Sequence, residues 1–178
     1  VALGNVPFGD FKLTDRRYDK NNFLIHDYFF AKTLDKVRPN GVIAFITSKG
    51  TMDKQNDKIR KYICQRAELI GSIRLPNNTF KANAGTIVTS DIIFLKKRDK
   101  ITDIEDEWVH LDKNQDGIEM NSYFVKHPEM ILGRMEMTSG RFGPESTCSP
   151  IYSETLETQL DNAIESINAE IDNIQIDE

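Results

Sequence analysis

The residues with the clearest chemical potential open the chain: Asn5-Val6-Pro7-Phe8, behind the apolar run Val1-Ala2-Leu3-Gly4 and ahead of Gly9-Asp10. A short strand that ends in an amide, a proline and an aromatic can build a pocket for a flat ring bearing an amino group. The amide offers both an acceptor and a donor. Proline fixes its own φ and restrains the residue before it, so the turn holds one shape. Phe8 supplies a face for stacking. An ordinary strand-to-loop exit uses the same residue types, so the loop must be weighed with its surroundings. Its position, at residue 5 of a chain without an initiator Met, leads us to expect a piece of a longer protein.

The elements that would hold such a loop follow at once. In residues 22–38, Leu24, Tyr28, Ala31, Leu34 and Val37 recur at helical spacing, and Pro39-Asn40-Gly41 stops the helix. Gly41 to Thr47 reads as a buried parallel strand and Ser48-Lys49-Gly50 as its loop. A second helix is expected over 53–67, a strand over Leu69–Leu75 and another over Ile87–Leu95. The fold class is therefore α/β.

Taken together, these features resemble the amino-group methyltransferases that use S-adenosylmethionine and carry an Asn-Pro-Pro-Tyr/Phe-type motif. The resemblance implies the second half of a Rossmann-like methyltransferase sheet, ending in a β-hairpin. It further implies that the Asn5 side-chain oxygen and the Val6 carbonyl accept hydrogen bonds from the exocyclic amino group of a flipped adenine. Pro7 would shape the loop and Phe8 would stack on the base. Val6 departs from the family pattern, in which a first proline is usual; only its backbone carbonyl is called on, so the chemistry survives.

A second motif, Leu75-Pro76-Asn77-Asn78-Thr79-Phe80 ahead of the 87–95 strand, is similar to the modification subunits of type I restriction enzymes. There the aromatic helps hold the base, which would make Phe80 a second wall; the alternative is that Phe80 packs beneath the loop. Gly4 to Gly50, with Tyr123-Phe124-Val125-Lys126-His127-Pro128-Glu129-Met130, looks like the helicase–methylase fusions of mobile elements. The resemblance covers residues 1–98 well and the remainder faintly.

No strand–glycine-rich turn–helix pattern for the cofactor is visible in the 178 residues. Gly140-Arg141-Phe142-Gly143-Pro144 lies late and without a preceding strand. The expectation is a substrate half whose S-adenosylmethionine site sits in an upstream half of the same protein, the isolated fragment being inactive. Asp112-Lys113-Asn114-Gln115-Asp116-Gly117 begins like an EF-hand loop, but Tyr123 stands where the bidentate Glu belongs, so a polar turn and no metal are expected. His26 is read as a core or capping residue and His127 as surface. Cys64 and Cys148 lack metal-ligand spacing and suit a reducing cytoplasm. No apolar run approaches a membrane span, and no signal peptide opens the chain.

The net charge of −5 hides a division: residues 1–100 hold 19 Lys/Arg against 10 Asp/Glu, and residues 101–178 hold 4 against 18. A basic half that also carries the base pocket suits phosphate contacts. Lys12, Arg16, Arg17, Lys20, Lys49 and Lys54 are the DNA-binding candidates, each with a solvated surface as its alternative. The chain divides on this reading into a catalytic half-domain (1–98), a mixed extension with a short strand near Trp108–Leu111 (99–150) and an acidic amphipathic helix (151–178). In that helix Leu156, Leu160, Ile164, Ile167, Ile171 and Ile174 form one stripe. The function expected is part of an adenine-specific DNA methyltransferase, partnered by DNA and by helicase or target-recognition domains. The alternatives are methylation of RNA or of a protein glutamine, and a catalytically silent nucleic-acid-binding or docking module.

Overall fold

The first strand is short and open on one side. In the computed structural model, which describes residues 1–85, 87–140 and 143–167, β1 (Ala2–Asn5) runs parallel to β2 (Val42–Ser48), with Ala2 opposite Ile43 and Asn5 opposite Ile46. Between them α1 (Ile25–Lys36) buries Phe30, Ala31 and Leu34. It ends where Val37 turns extended ahead of Pro39, and Asn40 adopts a left-handed φ of 59°. The expected helix is thus present, with Phe30 added to its buried face. β2 alternates, burying Ile43, Phe45 and Thr47 on one face; the other face is half-buried, not fully covered as a continuous apolar run suggests.

After β2 come α2 (Gly50–Asp53) and α3 (Lys58–Cys64). One helix was expected over 53–67. Instead Lys54 turns extended with ψ 144°, and the Asp53 carboxylate is drawn into the core, where it accepts from the Asn121 N–H. That use of Asp53 fixes the break. β3 (Ala67–Leu75), α4 (Lys81–Ala84) and β4 (Ser90–Lys97) complete the main sheet, whose order is β1-β2-β4-β3. β4 pairs antiparallel with both β2 and β3. The last two strands therefore form the expected hairpin, and β1, β2 and β3 point the same way.

After residue 99, Trp108, Val109, Ile118, Met120, Phe124, Met130, Cys148 and Ala163 join the same core. Trp108 and Val109 are buried, but in a 3-10 turn, Glu107–Val109, not in the strand expected there. Val109 offers its carbonyl to the buried Arg60 guanidinium at 2.6 Å, which holds the backbone in a turn. β5 (Leu111–Lys113) and β6 (Glu119–Asn121) form a hairpin across the EF-hand-like segment, with Gly117 at φ 77°. α5 (Ser122–Lys126) is capped by the Asn121 side chain, which accepts from the Tyr123 N–H. β7 (Arg134–Gly140) and β8 (Gly143–Ser149) then make a two-stranded ribbon.

α6 (Leu156–Glu165) lies within the helix expected over 151–178 and is capped at Ser166, and Ile171 and Ile174 lie outside the described residues. Its buried stripe runs through Leu156, Leu160 and Ala163 to Ile167, while Ile164 is exposed. The absence of a side chain at Gly71 admits Ile167: a Cβ there would come within 3.2 Å of the isoleucine.

Candidate active site

β1 delivers Asn5 to the end of the sheet, and the following residue pins the loop. The Val6 N–H donates to the Ile46 carbonyl at 3.0 Å, and its side chain is buried, whereas Asn5, Pro7 and Phe8 stay exposed. An apolar Val6 thus anchors the turn by burial where a second proline would stiffen it covalently. Farther along, the Ile25 N–H donates to the Phe11 carbonyl, which ties the loop to the start of α1.

Because β1, β2 and β3 are co-directional, their exits lie at one end of the sheet. Asn5 to Phe8 leave β1, Lys49 leaves β2, and Pro76 to Phe80 leave β3. Phe80 is half-buried against the core. Two strands separate the exits of β1 and β3, so the two loops start about 14 Å apart, at roughly 4.8 Å per strand. Strand ends on this side of an open α/β sheet line the ligand crevice. Its floor is made by the ends of β2 and β4. Here the Thr47 and Thr51 hydroxyls pair at 2.9 Å, and Ser90 keeps a buried hydroxyl without a partner among the described residues.

Sequence reasoning missed the ion network beneath this floor. Arg74 and Asp91 face each other across β3 and β4. Both are fully buried, and the guanidinium grips the carboxylate bidentately, Nε to Oδ1 at 2.8 Å and Nη2 to Oδ2 at 2.9 Å. Arg74 Nη1 lies 2.8 Å from Asp53 Oδ2, an ionic contact without hydrogen-bond alignment. The guanidinium also stacks 4.2 Å from the Phe124 ring centre. Burial pushes the Asp91 carboxyl up, opposed by Arg74. Burial likewise works against the Arg74 charge, but Asp91 and Asp53 outweigh it and hold the guanidinium charged. The network fixes the β3 exit from which Phe80 follows. Its available signal was an Arg and an Asp inside otherwise apolar strand runs, SIRL and SDIIFL.

The basic candidates divide by their partners. Arg16 and Lys20 are exposed, and Lys12 donates to Asn22 Oδ1 at 2.7 Å. Arg17 pairs with Asp35 at 3.2 Å, and Lys49 donates to the Ser146 hydroxyl at 3.2 Å. Lys54 is spent internally, 2.5 Å from the buried Asp27 carboxylate. Beside that pair His26 is buried. Burial holds its imidazole below its ordinary range, Lys54 adds to the effect, and Asp27 and Asp10 oppose it.

An exposed amide and an exposed aromatic thus stand at the mouth of the sheet. The N-6 DNA methylase family model matches residues 5–130, and the chain belongs to that family. It is 28% identical over 169 residues to defense against restriction protein B of Escherichia phage P1. That match covers 93% of this chain and 7% of the phage protein, so the chain spans a small part of its relative's length.

Among solved structures, it is similar to a Listeria monocytogenes protein assigned to the class I S-adenosylmethionine-dependent methyltransferases. There the identity is 20%, with 58% of this chain and 32% of the other covered and a TM-score of 0.43. It is also similar to a modification subunit assigned to a type I restriction enzyme of Vibrio vulnificus YJ016. In that case the identity is 16%, with 88% and 38% covered and a TM-score of 0.41.

Proposed function

We propose that this chain is the substrate-binding half of a DNA methyltransferase active site, which acts on the exocyclic amino group of a flipped adenine. The observation that carries the reading is the Asn5–Phe8 loop, anchored through Val6 with its amide and ring left free at the mouth of the sheet, in a member of the N-6 DNA methylase family. The Asn5 side-chain oxygen and the Val6 carbonyl accept the two amino protons. That pairing favours the pyramidal, nucleophilic nitrogen, and it strengthens as positive charge develops there. Phe8 stacks on the base, and Phe80 closes the pocket from the β3 side. Lys12, Arg16, Lys20 and Lys49 take phosphates around it, with Arg17 in reach. Lys54, held by Asp27, serves the loop's surroundings instead.

S-adenosylmethionine supplies the methyl group in this family, yet the residues present do not build its site. Among the described residues no strand runs through a glycine-rich turn into a helix: Gly4 faces Phe45, and Gly50 opens a helix of four residues. We therefore assign cofactor binding to a companion half that adds to the free edge of β1, where Val1 and Leu3 are exposed.

The test is methyl transfer by the full-length protein to DNA, read by mass spectrometry of the nucleosides. Asn5→Ala is expected to cut the turnover by about 10²- to 10³-fold, as for the loss of a preorganised transition-state contact, with duplex affinity kept within a few-fold. No methylated adenine from a folded, cofactor-loaded protein sinks the proposal.

A further inference from the structure

The segment that carries Phe80 leaves β3 at the mouth of the sheet, and the root of the β7–β8 ribbon fastens its base. Asn77 is the junction. Its N–H donates to the Cys148 carbonyl at 2.7 Å, and its Nδ2 donates to Thr147 Oγ1 at 2.9 Å. Its carbonyl accepts from the Val88 N–H at 2.9 Å, which closes the loop between them. Thr89, ahead of β4, holds the other side of the root. Its Oγ1 accepts from the Cys148 N–H at 2.9 Å and shares a hydrogen bond with Thr147 Oγ1 at 3.3 Å. Lys49, after β2, donates its N–H to the Thr89 carbonyl and its ammonium to the Ser146 hydroxyl, at 3.0 and 3.2 Å. Residues 146–148 thus clasp the chain after β2, after β3 and before β4.

From the clasp to Phe80 the path is short and tied. The Thr79 N–H and hydroxyl both donate to the Pro76 carbonyl, at 3.1 and 2.7 Å, and the Lys81 N–H donates to the Asn78 carbonyl at 3.1 Å. The orientation of Asn77 therefore sets where the Phe80 ring lies, three residues on. Burial of Cys148 and Leu75 adds grip at the root, but apolar contact has no preferred direction. Hydrogen bonds do, since they weaken steeply when bent. Phe80 is only partly buried, so the bonds upstream of it carry the precision that packing does not.

We propose that Thr147, acting through Asn77, is a positioning residue for Phe80, so that the acidic extension sets one wall of the base pocket. The proposal deepens the reading above and rests on Phe80 stacking on the flipped base. Misplacing a reacting group by about 1 Å can cost about 10²-fold in rate, so a clasp remote from the chemistry can govern it.

Thr147→Val keeps the branched shape and removes the hydroxyl, and Thr147→Ser keeps the hydroxyl. Asn77→Ala removes the same bond from its other end. Each is made in the full-length protein, with and without Phe80→Ala. Methylated adenine in genomic DNA is followed by mass spectrometry at saturating DNA and varied S-adenosylmethionine. Tryptic cleavage after Lys81, the exposed neighbour of Phe80, is timed separately on the folded proteins.

Thr147→Val and Asn77→Ala are expected to lower kcat about tenfold, with the KM for S-adenosylmethionine kept within about twofold. Thr147→Ser should retain most of the rate, and neither other variant should cost anything further in the Phe80→Ala background. Cleavage after Lys81 should quicken in Thr147→Val and Asn77→Ala but not in Thr147→Ser. An unchanged kcat, or an equal loss with and without Phe80→Ala, overturns the proposal and leaves the methyltransferase reading standing. Quickened cleavage in a protein that methylates no adenine even without substitution keeps the clasp on Phe80 and removes that reading. Neither methylation nor any change in cleavage overturns both.

Discussion

At the scale of single residues, the site depends on a division of labour between neighbours. Val6 is spent on anchoring, by its N–H and its buried side chain, and Asn5 and Phe8 are thereby left free. The same economy runs beneath the floor, where Arg74 meets two carboxylates and a ring at once. Breaking such a buried pair leaves an uncompensated charge, so Arg74→Met is expected to lower stability by about 3–5 kcal/mol. In Arg74→Met/Asp91→Leu the bidentate pair is gone while Asp53 loses its ionic partner, so only part of that loss should be recovered. Urea unfolding of the two variants checks this; equal destabilisation by both would show that the ion pair is not what matters.

At the scale of elements, legibility followed periodicity and failed where a side chain was claimed from far away. Ala31 and Leu34 marked α1, and the apolar run through Ile43 and Phe45 marked β2, because their burial is local and repetitive. The break between α2 and α3 depended on Asp53 meeting Asn121 and Arg74, partners 68 and 21 positions distant that no window of sequence contains. The turn at Trp108 depended likewise on Arg60. Asn5 and Phe8 were legible as a motif, while the network that steadies the β3 exit was not, since nothing local announces that Arg74 faces Asp91.

The ribbon root offers a prediction at this scale. A Cβ at Gly133 would fall 2.4 Å from the Ser149 carbonyl and 2.6 Å from the Cys148 sulfur. The Cys148 thiol is buried and pushed up to about 12 by that burial, so it is inert in the native protein. Gly133→Ala should unseat β8 and make Cys148 alkylatable at neutral pH without global unfolding. Continued protection of Cys148 in that variant would contradict the packing described.

At the scale of the whole molecule, the charge division would set how the chain meets the DNA of the proposed function. The basic residues after the loop lie in the first hundred residues, and the acids dominate the rest. If Lys12, Arg16 and Lys20 each neutralise a phosphate, Lys12→Ala/Arg16→Ala/Lys20→Ala should reduce the slope of log affinity against log salt by about 2.7 on duplex DNA. A slope unchanged in a titration of the full-length protein would place the phosphate contacts elsewhere.

The order β1-β2-β4-β3 has a further consequence, which concerns time. The strand that joins the two sides of the sheet is the last of the four to be synthesised. Until Lys97 has left the ribosome, β2 and β3 each carry a bare edge toward an empty slot, and β3 has no strand to pair with. Bare edges are templates for wrong pairing, and nascent chains expose them longest when the central strand arrives late. This protein thus passes through a stage in which its Asn5–Phe8 loop is already made and its sheet cannot yet close.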